Sequence, residues 1–161
     1  MGTAKPPEAI VIPGDGESVS AGGLDTVSVA GKERLVLEDM DFSVRQGEAK
    51  AWADWIADRL FPALDDAAWR VEFLKRFVIL RDQDFDFLCE FATEVNAHIK
   101  VATGTEDNNL WYEETLPAET VLVALLKSDG ELSGKLVPAT LHLGGNATTG
   151  QGLVRLVRGV A

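Results

Sequence analysis

At Thr93 the spacing of apolar residues drops from three and four to two, and this switch constrains the fold more than any other feature of the chain. Upstream, Trp52, Trp55, Ile56 and Leu60 share one stripe, which predicts a helix from Glu48 to Leu60 with that stripe buried. Pro62 ends it. Asp65 or Asp66 is placed to cap a second helix carrying Trp69, Phe73 and Phe77. "FVIL" at 77–80 reads as a short, fully buried strand, and Asp82 as the cap of a third helix with Phe85, Leu88 and Ala92. Downstream, "EVNAHIKV" alternates: Val95, Ala97, Ile99 and Val101 on one face, Asn96, His98 and Lys100 on the other. "TGTEDNN" is a polar turn, "LWYEETL" a return strand stopped by Pro117, and "TVLVALL" a buried strand. "GELSG" turns the chain into "LVPATLHL", and a glycine loop leads to the closing strand "GLVRLVRGV". A helical first half and a strand-rich second half predict an α+β domain: an antiparallel sheet, helices on one face, and a β-hairpin over about 95–115.

The N-terminal side adds one strand, "RLVLEDMDFSV", with Met40, Phe42 and Val44 alternating. Residues 1–31 are rich in Pro, Gly, Ser and Asp and read as a flexible linker or loop with at most one short strand, "AIVI". The domain is therefore expected over 32–161. No apolar run approaches the roughly 20 residues of a membrane span, "MGTAKPPEAI" lacks a signal-peptide core, and Pro6 breaks the myristoylation pattern. The single cysteine, Cys89, sits in the apolar run "FLCEF", reads as core filler, and fits a reducing, cytoplasmic setting.

The formal net charge is −11. That argues against a free-standing nucleic-acid binder, whose affinity rests on Lys and Arg neutralising phosphates. Residues 1–99 carry 10 basic and 19 acidic side chains, whereas residues 100–161 carry 5 and 7. Any anion-facing surface is expected in the C-terminal part.

Within that part, "GGNATTGQG" is the main candidate. It lacks the Gly-Lys-Ser/Thr ending of a P-loop and no helix pattern follows it, so nucleotide hydrolysis is disfavoured. Two readings remain: a nest of unobstructed backbone amides for phosphate oxygens, flanked by the Thr148 and Thr149 hydroxyls, or a plain turn between strands. "DQDFDF" fails as a calcium loop, because Phe87 stands where Gly is needed and Thr93 where Glu is needed. His98 and His142 have no partner at metal-ligand spacing, and no Cys/His pair is supported. His142 reads as an ordinary strand histidine. On the hairpin, Trp111 or Tyr112 near Lys100 offers a ring to stack on bases, or else packs beneath the strands.

Three segments in order, "RFVILRDQDFDFLCEFATEVNAHIKV", "LWYEETLPAETVL" and "LGGNATTGQGLVRL", resemble the C-terminal half of the backbone subunit of Cmr-type (type III-B) CRISPR effector complexes, in the RAMP superfamily. The resemblance implies a modified ferredoxin-like (RRM-related) palm with a β-hairpin thumb. It implies copies stacked along a guide RNA, other Cmr complex subunits as partners, and thumbs wedged into the guide–target RNA duplex. The thumb maps onto about 95–115. The RNA-contacting set it implies is His98, Lys100, Trp111, Tyr112 and Arg155 with the loop residues Gly144, Gly145, Asn146, Thr148, Thr149, Gly150, Gln151 and Gly152. Full-length relatives cut target RNA with a divalent metal and an aspartate in an N-terminal half that has no counterpart here. No catalytic residue, metal ligand or cofactor is therefore carried over; Glu113 and Glu114 are noted only for their place in the thumb. Gln151 stands where relatives often have a basic residue, and 128–140 is shorter than in relatives, which place a helix there. The chain is expected to be a fragment, one part of a split subunit or a degenerate relative. Three functions follow: an RNA-binding segment of a type III complex active in antiviral defence, an assembly module without RNA contact, or an active ribonuclease, which needs an acidic metal site that the sequence does not locate.

Overall fold

A computed structural model describes residues 5–100, 109–125, 127, 129 and 138–157. The first strand, β1 (Glu17–Ser20), is followed by β2 (Val27–Val29), β3 (Lys32–Leu37) and β4 (Met40–Arg45). After α1 (Lys50–Leu60), a 3₁₀ turn (Leu64–Asp66), α2 (Ala67–Arg76) and the short β5 (Val78–Ile79), the sheet closes in the order β2-β3-β4-β1-β5. The β1–β4 pair is parallel and the other pairs are antiparallel. α3 (Asp82–Phe91) then leads into β6 (Glu94–Lys100), which pairs antiparallel with β7 (Asn109–Thr115). β8 (Thr140–His142) and β9 (Leu153–Arg155) form a third, separate antiparallel pair. This mixed α+β architecture is compatible with a ferredoxin-like palm.

The core is small and lies where β1, β4 and α1 meet. Val19, Phe42, Ala53 and Ala57 are at most 1% exposed. "RLVLEDMDFSV", expected as one strand, is two: β3 and β4 pair antiparallel across a turn at Glu38 and Asp39, where Glu38 has φ 52°, and within β4 Phe42 faces inward. The stretch expected to be a ragged loop instead supplies β1, with Ser18, Val19 and Ser20 fully buried. Its serines are tolerated there because each hydroxyl has a partner: Ser18 Oγ donates to the Ser43 carbonyl at 3.3 Å, and Ser20 Oγ to Gln46 Oε1 at 2.7 Å. The Ala49 amide donates to the Ser20 carbonyl at 3.0 Å, and the helix buries Ala49, Ala53 and Ala57.

Several expectations change accordingly. The buried stripe of α1 is the alanine row, not Trp52, Trp55, Ile56 and Leu60, which are half-buried at its margins. Trp52 and Trp55 pack edge to face at 5.8 Å, and Trp52 Nε1 donates to the Ala9 carbonyl at 2.8 Å, tying down the N-terminal segment. Neither predicted aspartate cap forms: Asp66 makes no capping bond to α2, and Arg81, not Asp82, occupies the cap position of α3. Asp84 is the buried residue of α3, held by Arg81 Nη2 at 3.0 Å. That hydrogen bond is the main cause raising the Arg81 pKa above its ordinary value. Phe85 and Cys89 are exposed, so the cysteine is not core filler. "FVIL" gives a two-residue, half-buried edge strand. Residues 121–125 form no strand and expose Val121, Leu122, Val123 and Leu125. The "TGTEDNN" turn before Asn109, the "GELSG" turn and the residues after Val157 lie outside the described residues.

Candidate functional site

The register of the β6–β7 hairpin sorts its residues onto two faces. His98 lies opposite Trp111, Asn96 opposite Glu113, and Lys100 opposite Asn109; these pairs share one face. Val95, Ala97 and Ile99 share the other with Glu114, Tyr112 and Leu110. Sequence alternation placed the apolar set on one face correctly, but that face is open: Val95, Ile99, Leu110 and Tyr112 are 55–67% exposed. On the polar face His98 and Glu113 are half-buried, while Asn96, Lys100, Asn109 and Trp111 are exposed. Its cross-strand pair, His98 and Trp111, stacks with ring centroids 5.5 Å apart and planes inclined by 16°.

The glycine loop is the connection of the β8–β9 hairpin. The Leu143 amide donates to the Gly152 carbonyl at 2.9 Å, continuing the ladder beyond His142. Gly144, Gly150 and Gly152 adopt left-handed φ values of 88°, 85° and 75°, which any residue with a Cβ adopts at a cost. At Gly152 a Cβ would also strike the Leu143 carbonyl oxygen. Between them Ala147–Thr149 makes one 3₁₀ turn. Its bonds use part of the amide run: Thr149 N and Gln151 N donate to the Asn146 carbonyl at 3.1 and 3.2 Å, and Gly150 N to the Ala147 carbonyl at 3.1 Å. Thr149 Oγ1 donates to the same Asn146 carbonyl at 2.9 Å. The amides of Gly144, Gly145 and Thr148 take no part in these bonds, and all three residues are exposed.

Loop and hairpin meet at one carboxylate. Asn146 Nδ2 donates to Glu113 Oε2 at 2.8 Å and to Gln151 Oε1 at 3.2 Å. The other Glu113 oxygen accepts from Trp111 Nε1 at 3.0 Å. His98 Nε2 lies 3.4 Å from Glu113 Oε2, buried and without a hydrogen bond of its own. The structure therefore brings together His98, Trp111, Asn146 and Gln151 from the residues singled out in the sequence, through Glu113. Lys100 stands at the far end of the same face, and Tyr112 projects on the opposite one. Arg155 lies elsewhere. Its Nη1 reaches Asp66 Oδ1 and Oδ2 at 2.9 and 3.1 Å, and its Nη2 donates to the carbonyl of Leu60, the last residue of α1. It thus fills one of the carbonyls a helix end leaves open and staples β9 to the helices. His142 sits on β8 with Nδ1 3.4 Å from the Gln151 carbonyl.

Among the described residues no three His, Cys, Asp or Glu side chains are grouped to hold a metal ion, and no helix is long and apolar enough to cross a membrane.

No protein-family model matches the chain. Its sequence nevertheless has a relative among the Cmr-type (type III-B) CRISPR subunits of the RAMP class, as the three ordered motifs implied. That relative is the CRISPR system Cmr endoribonuclease Cmr4 of Pyrococcus furiosus, 35% identical over 95 residues, which cover 50% of this chain. The match spans about a third, 32%, of the relative's length.

Proposed function

We propose that this chain serves as an RNA-contacting structural segment of a type III-B CRISPR ribonucleoprotein, presenting the glycine loop and the β6–β7 hairpin together to guide RNA and to its duplex with target RNA. The observation that carries this reading is the joining of an exposed, glycine-rich loop to the polar face of an aromatic-bearing hairpin, in a chain similar to a CRISPR endoribonuclease. Gly144, Gly145 and Thr148 are exposed and their amides take no part in the loop's own bonds, so they are offered to phosphate oxygens, and Tyr112 offers an open ring to bases. The role proposed is binding. With a formal charge of −11, the chain depends on neighbouring subunits for affinity at physiological salt. Those neighbours are other Cmr subunits and further copies of the chain.

A second reading, an assembly module that does not touch RNA, is favoured by the open apolar face of Val95, Ile99 and Leu110. One experiment separates the two. Lys100→Glu combined with Tyr112→Ala is introduced into the reconstituted complex, and subunit incorporation and nuclease protection of bound RNA are measured separately. The RNA-contacting role predicts normal incorporation with protection weakened roughly tenfold or more. Lost incorporation favours the assembly module, and unchanged protection with normal incorporation contradicts the RNA-contacting role.

A further inference from the structure

Loop and hairpin are 33 residues apart in sequence at their point of contact, and each is a two-stranded unit outside the main sheet. An isolated two-stranded hairpin is marginal in water. Something must fix one against the other if both are to meet a single ligand, and the apolar residues of the β6–β7 hairpin point away from the loop's contact face. The only direct side-chain hydrogen bond between the two units among the described residues is Asn146 to Glu113. It is braced at both ends. Glu113 is oriented by the indole N–H of Trp111, whose ring is held by the stack with His98. Asn146 is oriented by Gln151 Oε1 on one side, and its own carbonyl gathers the loop's 3₁₀ turn on the other.

We infer that Glu113 is a positioning residue: its carboxylate latches the glycine loop to the hairpin and so sets the amides of Gly144, Gly145 and Thr148 at a fixed offset from the hairpin's rings. This inference rests on the RNA-contacting role proposed above, and it adds something that role does not require. An acidic side chain beside a phosphate-facing loop should weaken RNA binding by repulsion. A latch makes the opposite prediction, because losing it lets loop and hairpin move independently and removes the pre-organisation that a two-point contact needs.

The test has two readouts on the full-length chain. In the protein alone, hydrogen exchange of the Trp111 indole N–H and the chemical shift of the Asn146 side-chain amide report the latch without any RNA. In the reconstituted complex, photo-crosslinking of a 4-thiouridine-labelled single-stranded RNA to residues 144–152 reports the loop's contact. Glu113→Ala is expected to speed Trp111 indole exchange by about tenfold and to lower loop crosslinking by about tenfold, in line with loss of hydrogen bonds to a charged group. The double variant Glu113→Gln with Asn146→Asp keeps total charge and reverses the polarity of the bond: the new amide accepts from Trp111 and donates to the new carboxylate. It is expected to restore both readouts, which simple damage to the fold would not do. Unchanged indole exchange in Glu113→Ala overturns the inference. So does faster exchange with unchanged or stronger crosslinking, the result repulsion alone predicts. If the unaltered chain gives no loop crosslink, the RNA-contacting role fails, while the exchange readout still decides whether the latch exists. If Glu113→Ala does not fold, the swapped pair decides alone: failure of that pair to keep wild-type exchange overturns the latch.

Discussion

The sheet around β1 and the paired hairpins of the second half are held together by opposite means. In the first region, Ser18, Val19, Ser20, Ala53 and Ala57 are fully buried, and packing that excludes water holds the elements together. In the second, every residue of β6 and β7 is exposed or half-buried, and the connections are polar: Arg155 to Asp66 and Leu60, and Asn146 to Glu113. The contrast teaches where each region keeps its precision. The core depends on volume and on the satisfied hydroxyls of Ser18 and Ser20. A polar latch contributes modestly to stability yet fixes relative position, because each bond has a direction and one partner.

Substitutions that act on only one region sharpen this contrast. The largest effect is expected at Phe42, 1% exposed on β4: Phe42→Ala should lower the free energy of unfolding by about 3–5 kcal/mol through lost burial and the cavity left behind. Urea titration checks it, with Tyr112→Ala on the open hairpin face expected to change stability by less than about 0.5 kcal/mol. A smaller, local effect belongs to Gly152, where left-handed backbone and the Leu143 carbonyl both oppose a side chain. Gly152→Ala should cost about 1–3 kcal/mol and unpair β8 from β9. Amide exchange of Leu143 and Val154 would read it out. Gly145→Ala, at a position with ordinary φ and open space around it, should leave the same amides protected. If both alanines act alike, the loop's glycines are interchangeable and the geometric account of Gly152 is wrong.

How much of this could be read from the sequence depended on distance along the chain. Period-three and period-four stripes located α1, α2 and α3 to within a few residues, and alternation located β6 and β7 with the correct division of faces, but it ran β3 and β4 together as one strand. Those patterns are local. β1 escaped because "ESVS" is polar by composition, and its serines are buried only because Ser43 and Gln46, 25 and 26 residues away in the hydrogen bonds they accept, satisfy the hydroxyls. The alanine stripe of α1 was overshadowed by the tryptophans beside it, although Ala49, Ala53 and Ala57 have the i, i+4 spacing that would have located it. At the candidate site the glycine loop and the aromatic pair were recognisable from their residue types. Glu113 was not singled out as part of the network, since an acidic residue on an exposed strand is ordinary until Asn146 arrives from another hairpin. A weak signal existed: Glu113 alternates with Trp111 on the face shared with His98. Arg155 was named as an RNA contact; its bonds to Asp66 and to the carbonyl at the end of α1 were not legible, because both partners lie about ninety residues away in the chain.

The claim on which the account turns is that the glycine loop and the β6–β7 hairpin meet RNA as one unit. Photo-crosslinking within the reconstituted complex, followed by mass-spectrometric mapping, tests it most directly. The account predicts crosslinked peptides from both 109–113 and 144–152, on adjacent nucleotides of the same strand. Crosslinks confined to one of the two segments, or absent from both while the complex still protects its RNA, would contradict it.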